Sequence, residues 1–157
     1  MARVLITGMS GAGKSTLLDE LARRGYQTVD TDYDGWTTSD DGWDRARMSA
    51  LLAGAPDVVV SGTVANQGRF YDRFDHIVLL SAPIDVLIDR VRTRNNNPYG
   101  HSEVEQTRIR NHVRDIEPQL RAGATLELDA RRAVPELADV IARLTAPTRP
   151  PRSPLPR

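Results

Sequence analysis

The chain has 157 residues, 39% of them hydrophobic, with 21 basic and 21 acidic side chains and no cysteine. That length fits one domain, the balanced charge argues against a surface that coats nucleic acid broadly, and the missing cysteines exclude disulfides and cysteine-ligated metals. No apolar run reaches the length of a membrane span, and Met1-Ala2-Arg3 leads straight into a strand-like run, so a cytoplasmic setting is expected.

Val4-Leu5-Ile6-Thr7 is an apolar, β-branched run that predicts a buried strand. A glycine-rich turn, Gly8 to Gly13, follows, and then a helix whose spacing puts Leu17, Leu18, Leu21 and Ala22 on one face. Arg23-Arg24-Gly25 ends that helix, and Gln27 to Asp30 predicts a second strand. Beyond a polar loop (Thr37 to Asp41), a helix is predicted from about Trp43 to Ala53. Asp57 to Ser61 predicts a third strand, with Gly62 and a short helical or irregular piece near Arg69 behind it. His76 to Leu80 predicts a fourth strand. Pro83 introduces an amphipathic helix over Ile84 to Val91. Asn95 to Gly100 has loop chemistry. A long helix is predicted from Glu103 to Leu120, a fifth strand over Thr125 to Leu128 and a last helix over Val134 to Leu144. Strands alternating with helices imply a parallel sheet covered on both faces, with ligands at the carboxyl ends of the strands. Residues 146–157 contain five prolines and no apolar periodicity, which predicts a disordered or extended tail after a domain spanning 1–145.

Gly8-Met9-Ser10-Gly11-Ala12-Gly13-Lys14-Ser15 fits the G-x-x-x-x-G-K-[ST] pattern, with Thr16 next, between a predicted strand and a predicted helix. Glycines let successive backbone N–H groups turn toward phosphates, and the helix N-terminus adds its dipole. Lys14 is suited to reach the β- and γ-phosphates of a nucleoside triphosphate and the Ser15 hydroxyl to ligate Mg²⁺. One of the 21 basic residues is lysine, and it stands here, where a compact point charge is useful. Other P-loop classes are weakened by what is missing. There is no Asn-Lys-x-Asp element of guanine-specific GTPases and no Leu-Ser-Gly-Gly-Gln signature of ABC ATPases. Nor is there an Asp-Glu pair closing a buried strand, as in helicases and AAA+ machines: the third and fourth strands run into Ser61-Gly62 and Ser81-Ala82.

At these residues the chain resembles the P-loop kinases of the adenylate kinase and shikimate/gluconate kinase group, over about residues 2–145 in order of elements. The resemblance implies a three-layer α/β P-loop fold, a five-stranded parallel sheet of order 2-3-1-4-5 with helices on both faces, and a short lid over about 94–102. It implies an ATP- and Mg²⁺-dependent kinase that phosphorylates a hydroxyl of a small-molecule acceptor. Val29-Asp30-Thr31-Asp32 stands where shikimate and gluconate kinases carry an Asp-x-Asp pair, so Asp30 is expected to hold Mg²⁺ and Asp32 to orient or deprotonate the acceptor. Two carboxylates leaving a strand beside the cradle also suit a hard cation and a hydroxyl; the other reading is a solvated acidic turn.

Arg45 and Arg47 fall where this group grips an acidic acceptor; their spacing puts them on different sides of a helix, so one is expected to face the site, and Arg45 is the candidate. Trp36 and Trp43 flank the region, with core packing the default for such rings. After the third strand, Thr63, Asn66 and Gln67 are candidates to hydrogen-bond the acceptor. Ala65 occupies the arginine position of nucleoside monophosphate kinases, which removes one phosphate clamp unless Arg69 or Arg73 replaces it. Arg90 and Arg94, one turn apart, match the lid-entry arginines that stack on adenine and meet phosphate, and Arg108, with Arg110 and Arg114 as alternatives, resembles the lid-helix arginine that contacts the transferring phosphoryl. The loop from Asp129 to Val134, which carries Arg131, corresponds to the one that touches the base. Two alternatives stay open: a nucleoside or nucleoside monophosphate kinase, and a non-catalytic ATP-binding module working through its tail. Neither nucleic acid nor membrane is an expected partner.

Overall fold

Runs of valine, leucine and isoleucine alternating with amphipathic segments give a five-stranded, all-parallel sheet. It is seen here in a computed structural model that describes residues 2–38, 42–95 and 97–146. The strands are β1 (Arg3–Thr7), β2 (Thr28–Asp30), β3 (Val58–Ser61), β4 (His76–Ser81) and β5 (Leu126–Asp129). Their order is β2-β3-β1-β4-β5, the order expected. The helices are α1 (Lys14–Arg23), α2 (Arg45–Gly54), α3 (Ile84–Thr93), α4 (Glu103–Asp115), α5 (Glu117–Gly123) and α6 (Val134–Thr145), with a 3₁₀ helix over Gln67–Arg73.

The pleat sorts the core into two layers, because alternate side chains of a strand point to opposite faces. Val4, Ile6, Val59 and Val78 face a layer with Leu17, Leu21, Leu137 and Ile141. Leu5, Val58, Val60 and Ile77 face the other, with Trp43, Met48, Leu52 and Phe70. Full burial of each such aliphatic side chain contributes roughly 1.5–3 kcal/mol, so the three central strands, buried on both faces, anchor everything built on their carboxyl ends. A third cluster, Ile88, Val91 and Ile109, joins α3 to α4. Gly100 closes the loop between those helices: a Cβ there would lie 2.5 Å from Val91 Cβ, and its φ of +97° favours glycine.

Three expectations need correction. The helix expected over Glu103 to Leu120 is two helices: Pro118 lies in the first turn of α5, where its missing N–H costs nothing, and the chain breaks at Ile116. Trp43 precedes α2 instead of starting it; it bridges Thr37 in antiparallel fashion, and Asp44 caps the helix by accepting from Arg47 N at 3.0 Å. Ala22, expected on the same face as Leu17, Leu18 and Leu21, is exposed. The tail expected over 146–157 lies, from 147 onward, outside the described residues.

Candidate functional site

β1 delivers the chain into its turn at Gly8, whose place against β4 leaves no room for a side chain: a Cβ would sit 2.4 Å from the Leu80 carbonyl oxygen. Gly11 is equally confined, 2.7 Å from the Leu87 carbonyl oxygen with φ +88°. Gly13 then caps α1 in the left-handed conformation without a side-chain cap, so the first amides of α1 open onto the turn. A cavity of about 440 Å³ lies over this turn, lined by Ser10, Gly11, Gly13, Lys14, Ser15 and Thr16 from one side. Asp32, Tyr33, Arg90, Arg94, Asn97 and Tyr99 close it from the other. Gly8 and Ala12 support the turn from behind; Ala12 is buried and its amide donates to the Met9 carbonyl at 3.1 Å.

Lys14 reaches across the turn and donates from Nζ to the carbonyl oxygens of Gly8, at 2.6 Å, and Met9, at 3.3 Å. Desolvation by the surrounding loop lowers its pKa below the ordinary lysine value, while Asp32 and Asp30 pull it up and Arg94 pushes it further down. The Ser15 hydroxyl donates to Asp30 Oδ2 at 2.6 Å, and Asp30 Oδ1 accepts from the Asp32 amide at 3.1 Å, fixing the turn that leaves β2. Asp32 keeps contact with solvent. Even so, the protein around its carboxyl raises its pKa above the usual carboxylate value; Lys14 opposes this, Asp30 adds to it and Arg94 opposes it again. Ser15 and Asp30 form an all-oxygen donor pair at a helix N-terminus, the chemistry that suits Mg²⁺.

Arg90 bridges the turn to the end of the sheet: Nη1 donates to the Gly11 carbonyl at 3.3 Å and Nη2 to the Ala130 carbonyl at 2.8 Å. Arg94 braces the loop between α3 and α4, donating to the carbonyls of Asn97 at 3.1 Å and Tyr99 at 2.6 Å. Burial lowers its pKa, against Tyr33 and Asp32. Arg131 is placed apart from this cavity, in an ion pair with Asp129 at 2.7 Å.

A second cavity, about 930 Å³, adjoins the first and shares Asp32 and Tyr99 with it. Thr63, Val64, Gln67 and Tyr71 line it from the β3 side, and Arg108, His112, Ile116 and Gln119 from α4 and α5. Arg108 therefore opens onto this second space, and its guanidinium makes no ion pair among the described residues.

The other sequence candidates are differently engaged. Asn66 gives both ends of its amide to Trp43, accepting from its N at 2.8 Å and donating to its O at 3.0 Å, so it closes the β2–α2 loop. Thr63 donates to the Gly8 carbonyl at 2.7 Å and accepts from the Gly8 amide at 3.1 Å, bracing the glycine turn. Gln67 is 3% exposed and hydrogen-bonded at both amide atoms. Arg45 is exposed and lines neither cavity, whereas Arg47 stacks on Trp36. Sequence reasoning missed Tyr71, Tyr99 and His112. The signal for His112 was its position four residues after Arg108 on one helix.

Comparison with known proteins agrees with this geometry. The AAA domain family matches residues 4–111. The match holds although β3 ends in Ser61-Gly62 and not in an Asp-Glu pair. A "Nucleotide-binding protein" of Delftia acidovorans is 32% identical over 123 residues, 74% of this chain and 41% of its own length, so the chain spans less than half of that relative. Among solved structures, shikimate kinase from Acinetobacter baumannii superposes with a TM-score of 0.68 at 21% identity, covering 92% of both chains. A gluconokinase from Sinorhizobium meliloti gives 0.64 at 20% identity, covering 91% of each. Deoxyadenosine kinase from M. mycoides with bound dATP gives 0.61 at 16%, covering 90% of this chain and 97% of its own. The fold is that of P-loop small-molecule kinases.

Proposed function

The chain belongs to the AAA domain family of P-loop proteins, and from that premise we propose that it transfers the γ-phosphoryl group of ATP to a hydroxyl of a small-molecule acceptor, with Mg²⁺. The observation that carries this reading is that one carboxylate, Asp32, lines both the cavity over the glycine turn and the larger cavity beside it. A hydroxyl held in the second cavity and a phosphoryl group held in the first meet at that side chain.

In this reading the turn amides and the α1 N-terminus hold the β- and γ-phosphates, and Lys14 exchanges its two carbonyl partners for phosphate oxygens. Ser15 and Asp30 would hold Mg²⁺, which would neutralise the charge that develops on the phosphates. Asp32 accepts the acceptor's hydroxyl proton; that oxygen bonds to the γ-phosphorus while the bond from phosphorus to the ADP oxygen breaks. A raised carboxylate pKa makes Asp32 a better base for this step. Arg90 and Arg94 fix the loop over the phosphates, and Arg108 supplies a cation on the acceptor side. A monophosphate acceptor is less well served: Arg69 lines neither cavity, and Arg73 lies with Arg3 and Asp75 at the opposite end of the sheet.

The test is ADP release from Mg-ATP with sugar acids, sugars, shikimate, nucleosides and nucleoside monophosphates. Stimulation by one class supports the reading. Nucleotide binding with no acceptor-dependent release from any class counts against it and favours a binding module.

A further inference from the structure

The hydrogen bonds around Gln67 have a direction that can be read from the backbone. The Val64 amide, which can only donate, gives its proton to Gln67 Oε1 at 2.8 Å, so the amide orientation is fixed and both remaining contacts belong to Nε2. Gln67 Nε2 donates one proton to Thr7 Oγ1 at 3.1 Å and the other to Tyr71 Oη at 2.8 Å. Tyr71 Oη is thus an acceptor toward the interior, and its own proton is left for a different partner. Among the described residues it has no second one, and Tyr71 lines the larger cavity. On the far side, Thr7 Oγ1 and Thr63 Oγ1 are 2.9 Å apart and Thr63 donates to the Gly8 carbonyl, so the hydroxyl of Thr63 is used up within the protein.

From this polarity we infer that Tyr71 is an acceptor-recognition residue: it presents an O–H donor to the cavity and selects acceptors that offer an oxygen lone pair there, a carbonyl, carboxylate or ether oxygen in addition to the hydroxyl that is phosphorylated. Gln67 is its positioning residue, setting the direction of the tyrosyl proton without touching the acceptor. Across the cavity, on the α4 and α5 side, Arg108 and Gln119 also carry N–H donors, beside His112, which suits the same oxygen-rich class. The inference rests on the phosphoryl-transfer reading for the identity of the cavity, but not for the hydrogen-bond direction.

Two measurements separate those dependencies. In ¹⁵N-labelled protein without ligand, Tyr71→Phe should move one of the two Gln67 side-chain amide protons upfield and leave the other in place; if both stay put, the polarity is overturned. Shikimate, D-gluconate and deoxyadenosine are then used as probes in ADP release with Mg-ATP. For whichever probe the wild type turns over best, Tyr71→Phe should raise KM about tenfold, with kcat and the ATP requirement within about twofold and melting temperature nearly unchanged. Gln67→Glu, whose carboxylate oxygens would draw the tyrosyl proton inward, should raise the same KM although it touches no substrate. An unchanged KM in Tyr71→Phe overturns the inference, as does a KM change that tracks loss of stability or of ATP affinity. If the wild type turns over neither these probes nor any other class of the acceptor panel above, the transfer reading fails, and the inference about the acceptor falls with it even where the amide protons behave as expected.

Discussion

Arg47 lies over the ring of Trp36, its guanidinium carbon 3.9 Å from the ring centroid, and the same guanidinium donates to the carbonyl of Asp34. Asp34 has a φ of +62°, so this contact holds the turn that follows Asp32 in a conformation few side chains adopt. Replacing Arg47 with Ala should lower the melting temperature by roughly 2–4 °C, from a cation–π contact near 1 kcal/mol in a chain of this size, and slow ADP release. Arg45→Ala should change neither. Thermal melts and steady-state assays on the two variants decide it; equal effects would remove the distinction between the two arginines.

Lys14→Ala should reduce acceptor-dependent ADP release by at least about 10²-fold, the scale expected when a preorganised charge is removed from a transferring group. Its melting temperature should be no lower than that of the wild type. Desolvation lowers the Lys14 pKa, so the folded state holds that proton more weakly than the unfolded chain and gains nothing in stability from the charge. A variant that melts early would show that the two Lys14 contacts to Gly8 and Met9 support the fold.

Asp32→Asn should slow turnover by about 10²–10⁴-fold if Asp32 takes the hydroxyl proton, with ATP affinity changed much less. Wild-type activity should fall as pH drops through the raised Asp32 pKa, above the ordinary value of 3.8, and the residual activity of the variant should lack that limb. The sign for stability is opposite to that of a salt-bridged carboxylate. The folded protein holds this proton more tightly than the unfolded chain, so the ionised form weighs against folding at neutral pH and the cost is relieved as pH falls. Asp32→Asn should therefore melt at or above wild type at pH 7, with the gap closing in acid. A pH–rate profile unchanged by the substitution would take Asp32 out of the base role.

Arg121, which lines neither cavity, joins Glu117 at 2.9 Å and Glu127 at 2.8 Å, and Ser81 also donates to Glu127, at 2.6 Å. Glu117 is only 7% exposed and one of its oxygens is buried without a partner among the described residues. Arg121→Ala strands that carboxylate and should cost about 2 kcal/mol, or roughly 4–8 °C, while ADP release per folded molecule stays unchanged. Arg121 and Ser81 hold the Glu127 pKa below the ordinary glutamate value, so this contribution is present above the unfolded pKa and is lost as pH falls. Melts at several pH values test both halves.

The sheet and the glycine turn were legible because their signals are local: a β-branched run, a glycine spacing and one lysine dictate strand, turn and helix without help from distant residues. The 2-3-1-4-5 order came with the resemblance rather than from the runs themselves. The break at Ile116 was hidden because Pro118 in a helical pattern reads equally as a first-turn residue, and Leu120 kept the apolar spacing. The acceptor side was hardest to read. Asn66, Thr63 and Gln67 are the polar types a ligand needs, but whether an amide faces a ligand or Trp43, Gly8 and Thr7 depends on chain segments more than twenty residues away. Tyr71 gave no sequence signal, since its role follows from the direction of a proton on a neighbouring side chain.

The ammonium folded over Gly8 and Met9 is the single side-chain amine in 157 residues. Any amine-directed label therefore marks the phosphate loop and, apart from the chain's amino terminus, nothing else. Reductive methylation with isotopically labelled formaldehyde would turn Lys14 into a lone spectroscopic probe, and the rate of its modification with and without a nucleotide would serve as a one-residue footprint of occupancy. Few proteins allow that without mutagenesis; here an otherwise all-arginine complement of basic side chains has already cleared the background.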